Sequence, residues 1–457
     1  MKKKGHTRIK KPNGFLYGFF YLLIYPLMKL LFHLEVNRTQ YHPPKGPFIV
    51  VSNHQSFMDF LLTMLTIYPH RLNAVAAQKF FFYRPLNWLM PLMGAIPKNL
   101  FDPDMRSVLA MMEVIKRGDR LLLFPEGRCT THGPYMGMHR STGKLIKKLG
   151  VPVLSCRIEG AYTCMPFWRK GIRRGQVRVL LADLFSTEDT QALSVDEINS
   201  RIDARLSGED VRSSGIGAEA MLGGTGAEAR LSGAEAKLSG ENEELNGADA
   251  GTQSQAEHLG LFKAKRLAEG LENILYYCPK CQREFTLQTT YNTIRCTACG
   301  STATMSRNAE LISGKNCNWP KTVAEWYKVQ VIYEMQFLYE DMEPIKTEVI
   351  VKMPLRAGRG PEPCGQGKLS LDSRGWRFEG ELRGEDVQLF FPIETVPAVP
   401  FDPKDDFQIY AQGKFYMFTP KDNPQACVKY ATIGECAYWR FASNIQMTVA
   451  QDSGFCE

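Results

Sequence analysis

Two residues that could carry out proton transfer follow an apolar run near residue 50. The run Phe48–Val51 breaks at Ser52, a pattern that predicts a buried strand ending at the rim of a pocket. His54 lies just beyond this run, and a helix that begins at Asp59 would bring its carboxylate to the imidazole. An imidazole held by a carboxylate on one nitrogen can take a proton from a hydroxyl group with the other. The alternative is a strand-end histidine that only satisfies backbone groups.

A second strand exit carries polar groups of its own. The apolar run Leu121–Phe124 is followed at once by Pro125, Glu126, Gly127 and Arg128. In a parallel sheet, ligands bind outside the carboxyl ends of the strands. The sequence therefore predicts one site built from both exits.

Together the two motifs resemble those of the lysophosphatidic acid acyltransferase family, over approximately residues 13–205. Members of that family transfer a fatty acyl chain from a thioester to a hydroxyl group of a glycerolipid. The resemblance implies that His54 is the general base and that Asp59 orients it. It also implies an acyl-ACP or acyl-CoA donor, a lysophosphatidic acid acceptor that attacks the thioester directly, and no organic cofactor.

The same resemblance assigns substrate binding to four residues. Lys98 or Arg128 would supply charge for the acceptor phosphate, and Glu126 and Gly127 would position the glycerol moiety. Lys98 lies two positions earlier than the basic residue usual in the family, and Arg128 follows Gly127 directly. Ser155 stands where a proline is usual. These departures indicate a divergent branch of the family.

The main hypothesis is acyl transfer to lysophosphatidic acid in phospholipid biosynthesis. Two alternatives remain open at this point. The first is an acyltransferase acting on another lysolipid or on glycerol 3-phosphate, and the second is an inactive, membrane-bound, lipid-binding scaffold. The intact pair of His54 and Asp59 favours an enzyme.

Strand and helix signals alternate from Phe48 to Phe185, within the predicted acyltransferase domain of residues 36–206. Asp104 predicts the start of a helix that ends at Gly118, and Thr142 and Ser194 are expected to cap two more. Such alternation predicts an α/β fold with a mostly parallel sheet flanked by helices. The strands are expected at Phe48–Val51, Leu72–Ala76, Leu121–Phe124, Val151–Ile158 and Val177–Leu184.

Residues 1–35 combine basic residues with the apolar stretch Phe15–Met28. The pattern predicts a membrane-associated helix, interfacial or transmembrane, that anchors the chain on the cytoplasmic face of the cell membrane. A second apolar stretch, Phe80–Met93, predicts either a membrane-facing wall or a buried core helix. Residues 1–185 hold 28 Lys or Arg against 9 Asp or Glu. Because apolar segments interleave with these charges, membrane lipids are the expected partners and nucleic acid is not.

The composition changes after the α/β segment. Residues 207–258 are rich in Gly, Ala, Ser and Glu, with approximate seven-residue repeats. The repeats contain too little apolar surface for a coiled coil, so a disordered linker is predicted. Helical spacing of apolar residues resumes in 259–277 and predicts a connecting helix.

Four of the twelve cysteines occur as two C-x2-C pairs, in the segment 278–305. Four thiolates at this spacing match a tetrahedral Zn2+ site, and a shell of four cysteines leaves no open position for catalysis. The sequence therefore predicts a zinc ribbon with one structural ion. Its ligands are Cys278, Cys281, Cys296 and Cys299. The other eight cysteines are scattered, which indicates a reducing compartment.

Short alternating segments dominate residues 306–457. They predict a small antiparallel β-barrel-like domain with a terminal helix, similar to pleckstrin-homology or GRAM modules. The six predicted strands are Val349–Met353, Lys368–Leu371, Trp376–Glu379, Val387–Phe391, Phe407–Ala411 and Lys414–Phe418.

Overall fold

A computed structural model describes residues 9–101, 104–209, 265–315, 317–338, 343–356, 358–411 and 413–452. They form two compact units. The first unit holds the described residues up to 209 together with the segment Pro354–Pro361, and the second holds the rest. Beyond residue 209, the repeat segment predicted as a linker lies outside the described residues.

The first unit is built on a seven-stranded sheet. The strand order is β1-β7-β6-β2-β5-β3-β4, and all neighbouring pairs are parallel except β6 with β7. The predicted mostly parallel sheet is therefore confirmed. The strands are β1 (Glu35–Gln40), β2 (Ile49–Ser52), β3 (Leu72–Ala77), β4 (Ile96–Lys98), β5 (Arg120–Leu123), β6 (Val153–Glu159) and β7 (Arg178–Phe185).

Eight α-helices accompany this sheet in the described part of the first unit. Asp104 accepts hydrogen bonds from the backbone N–H groups of the next turn, and Ser194 forms a capping box with Glu197, as predicted. The helices are α1 (Gly14–Phe32), α2 (Asp59–Thr66), α3 (Leu86–Leu92), α4 (Met105–Lys116), α5 (Ser141–Leu149), α6 (Ala161–Cys164), α7 (Thr187–Ala192) and α8 (Val195–Ser207). The cap predicted at Thr142 is wrong, because α5 already begins at Ser141.

Helix α1 has one packed face and one exposed apolar face. Tyr17, Met28 and Phe32 are buried, and the Tyr17 hydroxyl donates a hydrogen bond of 2.8 Å to the carbonyl of Leu72. By length and composition this helix could cross a membrane. Its exposed large residues are Phe15, Phe19, Leu22, Leu23, Leu27 and Leu30.

The stretch Phe80–Met93 forms a short 3-10 helix, Gln78–Phe82, followed by α3. Neither helix contains a buried residue, and Trp88 is largely exposed. The alternative of a buried core helix is therefore wrong for this stretch.

The second unit contains two antiparallel sheets and two α-helices among its described residues. The smaller sheet has the order β11-β10-β9-β8 and carries the predicted ribbon. Its strands are β8 (Leu287–Thr290), β9 (Thr293–Cys296), β10 (Thr302–Met305) and β11 (Leu311–Ser313). Helix α9 (Val323–Met335) follows it, and α10 (Cys427–Asp452) comes after the larger sheet.

The larger sheet contains all six strands that the sequence predicts. Its order is β15-β14-β13-β12-β18-β17-β16. Among the described strands, β15 and β16 each pair with one neighbour, so the sheet is open and the expected barrel-like closure is not seen. The likeness to pleckstrin-homology or GRAM modules stays a prediction. The strands are β12 (Ile345–Met353), β13 (Glu362–Asp372), β14 (Gly375–Leu382), β15 (Glu385–Pro392), β16 (Phe401–Asp402), β17 (Asp406–Ala411) and β18 (Lys414–Pro420).

The prediction of a connecting helix over residues 259–277 is wrong for its described part, residues 265–277. Residues 265–277 contain a single 3-10 turn, Leu271–Asn273, and no α-helix. The Gln330 side chain on α9 accepts from the N–H of Tyr276 and donates to the carbonyl of Ile274. These bonds satisfy backbone groups that a helix would otherwise pair internally, so the apolar residues are buried without helical structure.

Candidate active site and metal centre

His54 lies two residues beyond the end of β2, and Asp59 is the first residue of α2. The His54 Nδ1 atom is 2.9 Å from Asp59 Oδ2. A carboxylate can only accept a hydrogen bond, so Nδ1 carries the proton and Nε2 is left able to take one. The predicted pairing of these two side chains is therefore present in the structure.

Asp59 is fully buried and is held by Ser56 as well as by His54. The Ser56 N–H donates to Asp59 Oδ2 at 2.7 Å, and the Ser56 hydroxyl donates to Oδ1 at 3.1 Å. A buried charge is tolerated when its oxygens are hydrogen-bonded in this way. The short segment between the two residues thus fixes the carboxylate before any substrate binds.

Glu126 connects the two strand exits. Its carboxyl oxygens accept hydrogen bonds from the N–H groups of His54, at 2.6 Å, and of Met136, at 3.0 Å. Burial raises the pKa of Glu126 to about 8, although these two bonds act in the opposite direction. In this arrangement Glu126 positions the backbone of His54, the predicted general base. Its predicted contact with the glycerol moiety stays a prediction.

Gly127 and Arg128 continue the loop after β5. Gly127 has a φ of +73°, and a Cβ atom there would lie 3.0 Å from the Phe101 ring, so both conformation and space favour glycine. Arg128 follows directly. Lys98 ends β4 and pairs with Ala77 of the parallel strand β3, which places it at the same edge of the sheet. Burial lowers the pKa of His139, and the nearby charge of Lys98 lowers it further.

Cys129 also contacts the imidazole, which the sequence did not predict. Its Sγ atom is 3.5 Å from Nε2 and 3.6 Å from Nδ1 of His54. The Thr130 N–H donates to the His54 carbonyl at 2.8 Å and holds the loop in place. On another side, the Phe124 ring stacks on the imidazole with centroids 4.3 Å apart. The sequence signal was the position of Cys129 directly after Arg128, at the second strand exit.

The pKa of His54 reflects these neighbours. Burial by itself lowers it, but the sulfur of Cys129 and the hydrogen bond to Asp59 outweigh that effect and raise the pKa well above 6.5. The imidazole therefore holds a proton strongly and must lose it before it can serve as the predicted base.

The four predicted metal ligands come together in the second unit. All four sulfur atoms lie within 4.8 Å of one another and could hold a metal ion. The N–H of the residue after each C-x2-C pair, Gln282 or Gly300, donates to the carbonyl of the first cysteine of that pair. Both residues have a positive φ, so the two turns are alike. The sulfur pairs Cys278–Cys299 and Cys281–Cys296 are 3.8 and 3.7 Å apart.

Residues 33–159 match the family model described as Acyltransferase. The chain is 30% identical over 138 residues to the chloroplastic 1-acyl-sn-glycerol-3-phosphate acyltransferase BAT2 of Brassica napus, covering 30% of this chain and 40% of that protein. It is 27% identical over 217 residues to the mouse 1-acyl-sn-glycerol-3-phosphate acyltransferase alpha, covering 43% of this chain and 72% of that protein.

One solved structure, the 1-acyl-sn-glycerophosphate acyltransferase PlsC from Thermotoga maritima, is 20% identical with a TM-score of 0.38. The match covers 45% of this chain and 82% of that chain.

Proposed function

We propose that the chain transfers a fatty acyl group from a thioester to the free hydroxyl of lysophosphatidic acid, a proposal supported by the Acyltransferase model that residues 33–159 match and by the 1-acyl-sn-glycerol-3-phosphate acyltransferases to which the chain is similar. The observation that carries the proposal is the contact of 2.9 Å between His54 Nδ1 and the buried carboxylate of Asp59. That contact leaves Nε2 to accept the hydroxyl proton.

The reaction needs one base and one polarised carbonyl group. The acceptor hydroxyl gives its proton to His54 Nε2 as its oxygen attacks the thioester carbonyl, and the buried Asp59 stabilises the imidazolium ion that forms. The proton then passes to the departing thiolate. Because the thiol is a good leaving group, the protein's main task is to position the hydroxyl and activate it.

Lys98 and Arg128 are proposed to bind the acceptor phosphate. Both lie at the edge of the sheet where β2 and β5 end, and cations there favour a phosphate monoester through charge-assisted hydrogen bonds. Gly127 keeps the loop close to the substrate. The donor is a thioester of coenzyme A or of acyl carrier protein, and assays with both donors identify it.

Membrane attachment is proposed to occur through α1. Its buried face is fixed to the first unit through Tyr17, while its outer face carries six exposed large apolar residues. A helix with one face packed against protein and one apolar face exposed suits the lipid interface. The proposal puts α1 on the cytoplasmic face of the cell membrane, with the site open to a lysolipid acceptor.

The four-cysteine centre is proposed to hold one structural Zn2+ ion. A tetrahedral ion with Zn–S bonds of about 2.3 Å requires sulfur atoms about 3.8 Å apart, close to the two separations of 3.8 and 3.7 Å. Elemental analysis should find about one zinc per chain. The double variant Cys278→Ser with Cys299→Ser should lose it and unfold at lower temperature, whereas Cys317→Ser should retain it. Unchanged zinc in the double variant would refute this site.

The substrate assignment is tested with three acceptors: lysophosphatidic acid, glycerol 3-phosphate and a lysolipid that lacks a phosphate monoester. We expect lysophosphatidic acid to be preferred. Lys98→Gln and Arg128→Gln should raise its apparent KM by about ten-fold or more, the scale of a hydrogen bond to a charged group. They should affect the lysolipid much less, and Lys148→Gln, on the exposed side of α5, serves as the control.

Equal losses on both lipid acceptors would refute the phosphate contact. Preference for another acceptor would reassign the substrate. Failure of the wild-type protein to acylate any of the three would refute acyl transfer and favour the scaffold.

A further inference from the structure

The segment Pro354–Pro361 joins β12 to β13 in the chain, yet it belongs to the first unit. The N–H of Gly360 donates to the carbonyl of Phe82 at 2.7 Å. The residues next to these two, Arg359 and Tyr83, form an antiparallel β-bridge. A segment far along the chain is thus paired with the backbone that follows β3.

Two glycines allow this segment to lie close to its partners. A Cβ atom on Gly360 would lie 2.7 Å from Tyr83 Cε1. One on Gly358 would lie 2.7 Å from Asn87 Nδ2. Both glycines have a φ of +77°, which a residue without a Cβ atom adopts at no steric cost. The pairing therefore depends on the sequence of the segment itself.

The paired stretches carry basic side chains and no acidic ones. Residues 78–93 contain Lys79 and Arg84, and residues 354–361 contain Arg356 and Arg359, with no Asp or Glu in either stretch. The three arginines are exposed. Arg84 Nε lies only 3.3 Å from the position that a Cβ atom on Gly358 would take, so the basic residues of the two stretches are neighbours. Such a group of cations favours an anionic partner.

Large apolar side chains accompany these cations. Trp88 is 64% exposed, and Tyr83 and Leu355 are exposed as well. Tryptophan and tyrosine are enriched where membranes meet water, because each has an apolar ring and a polar group that can stay hydrated. Exposed apolar residues among basic ones are typical of surfaces that bind anionic lipids.

We propose that this part of the first unit is a docking surface for an anionic phospholipid bilayer. The guanidinium groups contact lipid phosphates, and the apolar side chains enter the level of the headgroups. The docking surface adds to the proposed membrane attachment through α1 and does not depend on acyl transfer. Its residues are Tyr83, Arg84, Trp88, Leu355, Arg356 and Arg359.

The docking surface is continuous with α1. Asn13, which caps α1, donates its N–H to the carbonyl of Leu92, the last residue of α3, at 3.0 Å. Trp88 lies on α3, and Phe15, in the first turn of α1, is largely exposed. One bilayer can therefore contact the N-terminal end of α1 and the docking surface together.

The docking surface also borders the proposed site. Phe57 lies between His54 and Asp59 and is half exposed. Its ring meets the Phe80 ring edge to face, with centroids 6.4 Å apart. Phe80 belongs to the 3-10 helix that directly precedes Tyr83. Docking here brings the bilayer to the segment that carries the proposed base, where a lipid acceptor would enter.

The test measures whether Trp88 enters the bilayer. Full-length protein is reconstituted into vesicles of phosphatidylcholine with or without phosphatidylglycerol, and part of the lipid carries bromine in the upper acyl chain to quench tryptophan fluorescence. Of the six tryptophans, only Trp88 and Trp439 are exposed. We expect quenching in the anionic vesicles. Trp88→Phe should abolish it, whereas Trp439→Phe should leave it unchanged.

The double variant Arg356→Gln with Arg359→Gln tests the charge. In anionic vesicles we expect the ratio of quenched to unquenched Trp88 to fall by about ten-fold or more, since each basic residue near an anionic surface strengthens attachment by about five-fold. High salt should weaken the wild-type quenching. Lys144→Gln with Lys148→Gln removes the same charge from exposed positions of α5 and should leave the ratio at the wild-type value.

Thermal unfolding checks that all variants remain folded. Quenching of Trp88→Phe as strong as that of the wild type, or equal wild-type quenching in neutral and anionic vesicles, would overturn the proposal. An equal loss in the lysine control would overturn it too. Absence of quenching in the wild type would overturn it and favour a protein partner. The measurement needs no turnover, so failure to acylate any acceptor would refute the proposed function and leave the docking surface standing.

Discussion

The described part of the first unit contains two histidine–carboxylate pairs with the same distance between the imidazole Nδ1 atom and the carboxylate oxygen. His54 Nδ1 lies 2.9 Å from Asp59, and His42 Nδ1 lies 2.9 Å from Asp183. The side chains of the first pair are 20% and 0% exposed, whereas those of the second are 77% and 46% exposed. The two distances are the same, but the side chains of the first pair are largely buried and those of the second pair are exposed to solvent.

The consequence of that difference is electrostatic. Water and salt screen an exposed ion pair, which contributes about 0–1 kcal/mol to stability, whereas breaking a buried pair costs about 3–5 kcal/mol. The buried pair also has a second layer of contacts, from Ser56 to Asp59 and from Cys129 and Phe124 to His54. A histidine becomes a base suited to catalysis through these surroundings rather than through the carboxylate contact alone.

Of the substitutions in the two pairs, the one at Asp59 is expected to have the largest effect. Asp59→Asn keeps the shape of the side chain but cannot stabilise the imidazolium ion or hold its tautomer. We expect the rate of acyl transfer to fall by at least about a hundred-fold. Steady-state assays with lysophosphatidic acid measure this. A rate within a few-fold of the wild type would show that the buried carboxylate is not needed.

The second effect concerns pH. His54 acts as a base only when neutral, and its pKa is raised well above 6.5. Activity should therefore fall about ten-fold for each unit of pH below that raised pKa, and the fall should begin above pH 6.5. Asp59 is one of the groups that raise the pKa, so the residual activity of Asp59→Asn should decline at lower pH. The pH dependence of kcat/KM tests both points, and a wild-type midpoint below pH 6.5 would contradict them.

The smallest effect is expected at the exposed pair. Asp183→Asn should change the free energy of unfolding by less than about 1 kcal/mol and should leave the rate unchanged. Denaturant unfolding and the same acyl-transfer assay provide the measurement. If this variant lost as much activity as Asp59→Asn, burial would no longer explain the difference between the two pairs.

The features that the sequence predicted correctly depend on contacts between residues that are close together in the chain. Asp59 reaches His54 across one short segment, and each C-x2-C pair closes its own turn. Asp104 and Ser194 likewise cap the helices that directly follow them. Such patterns can be recognised in the sequence because the interacting groups lie within a few residues of each other.

The features that the sequence did not predict depend on contacts between residues that are far apart in the chain. The contact of Cys129 with His54 requires β2 and β5 to lie side by side, which residue spacing does not encode. The segment before the ribbon lacks a helix because Gln330, from another helix, pairs with its backbone. Strand β1 is mostly exposed and polar, so it has no apolar run to mark it.

Comparison of His54→Ala with His42→Ala tests whether the His54 imidazole is the base of an acyl transfer. Both proteins would receive labelled acyl thioester and lysophosphatidic acid, with acceptor binding measured separately. We predict that His54→Ala loses about a hundred-fold or more in rate while still binding the acceptor, and that His42→Ala matches the wild type. Full activity in His54→Ala would contradict the claim.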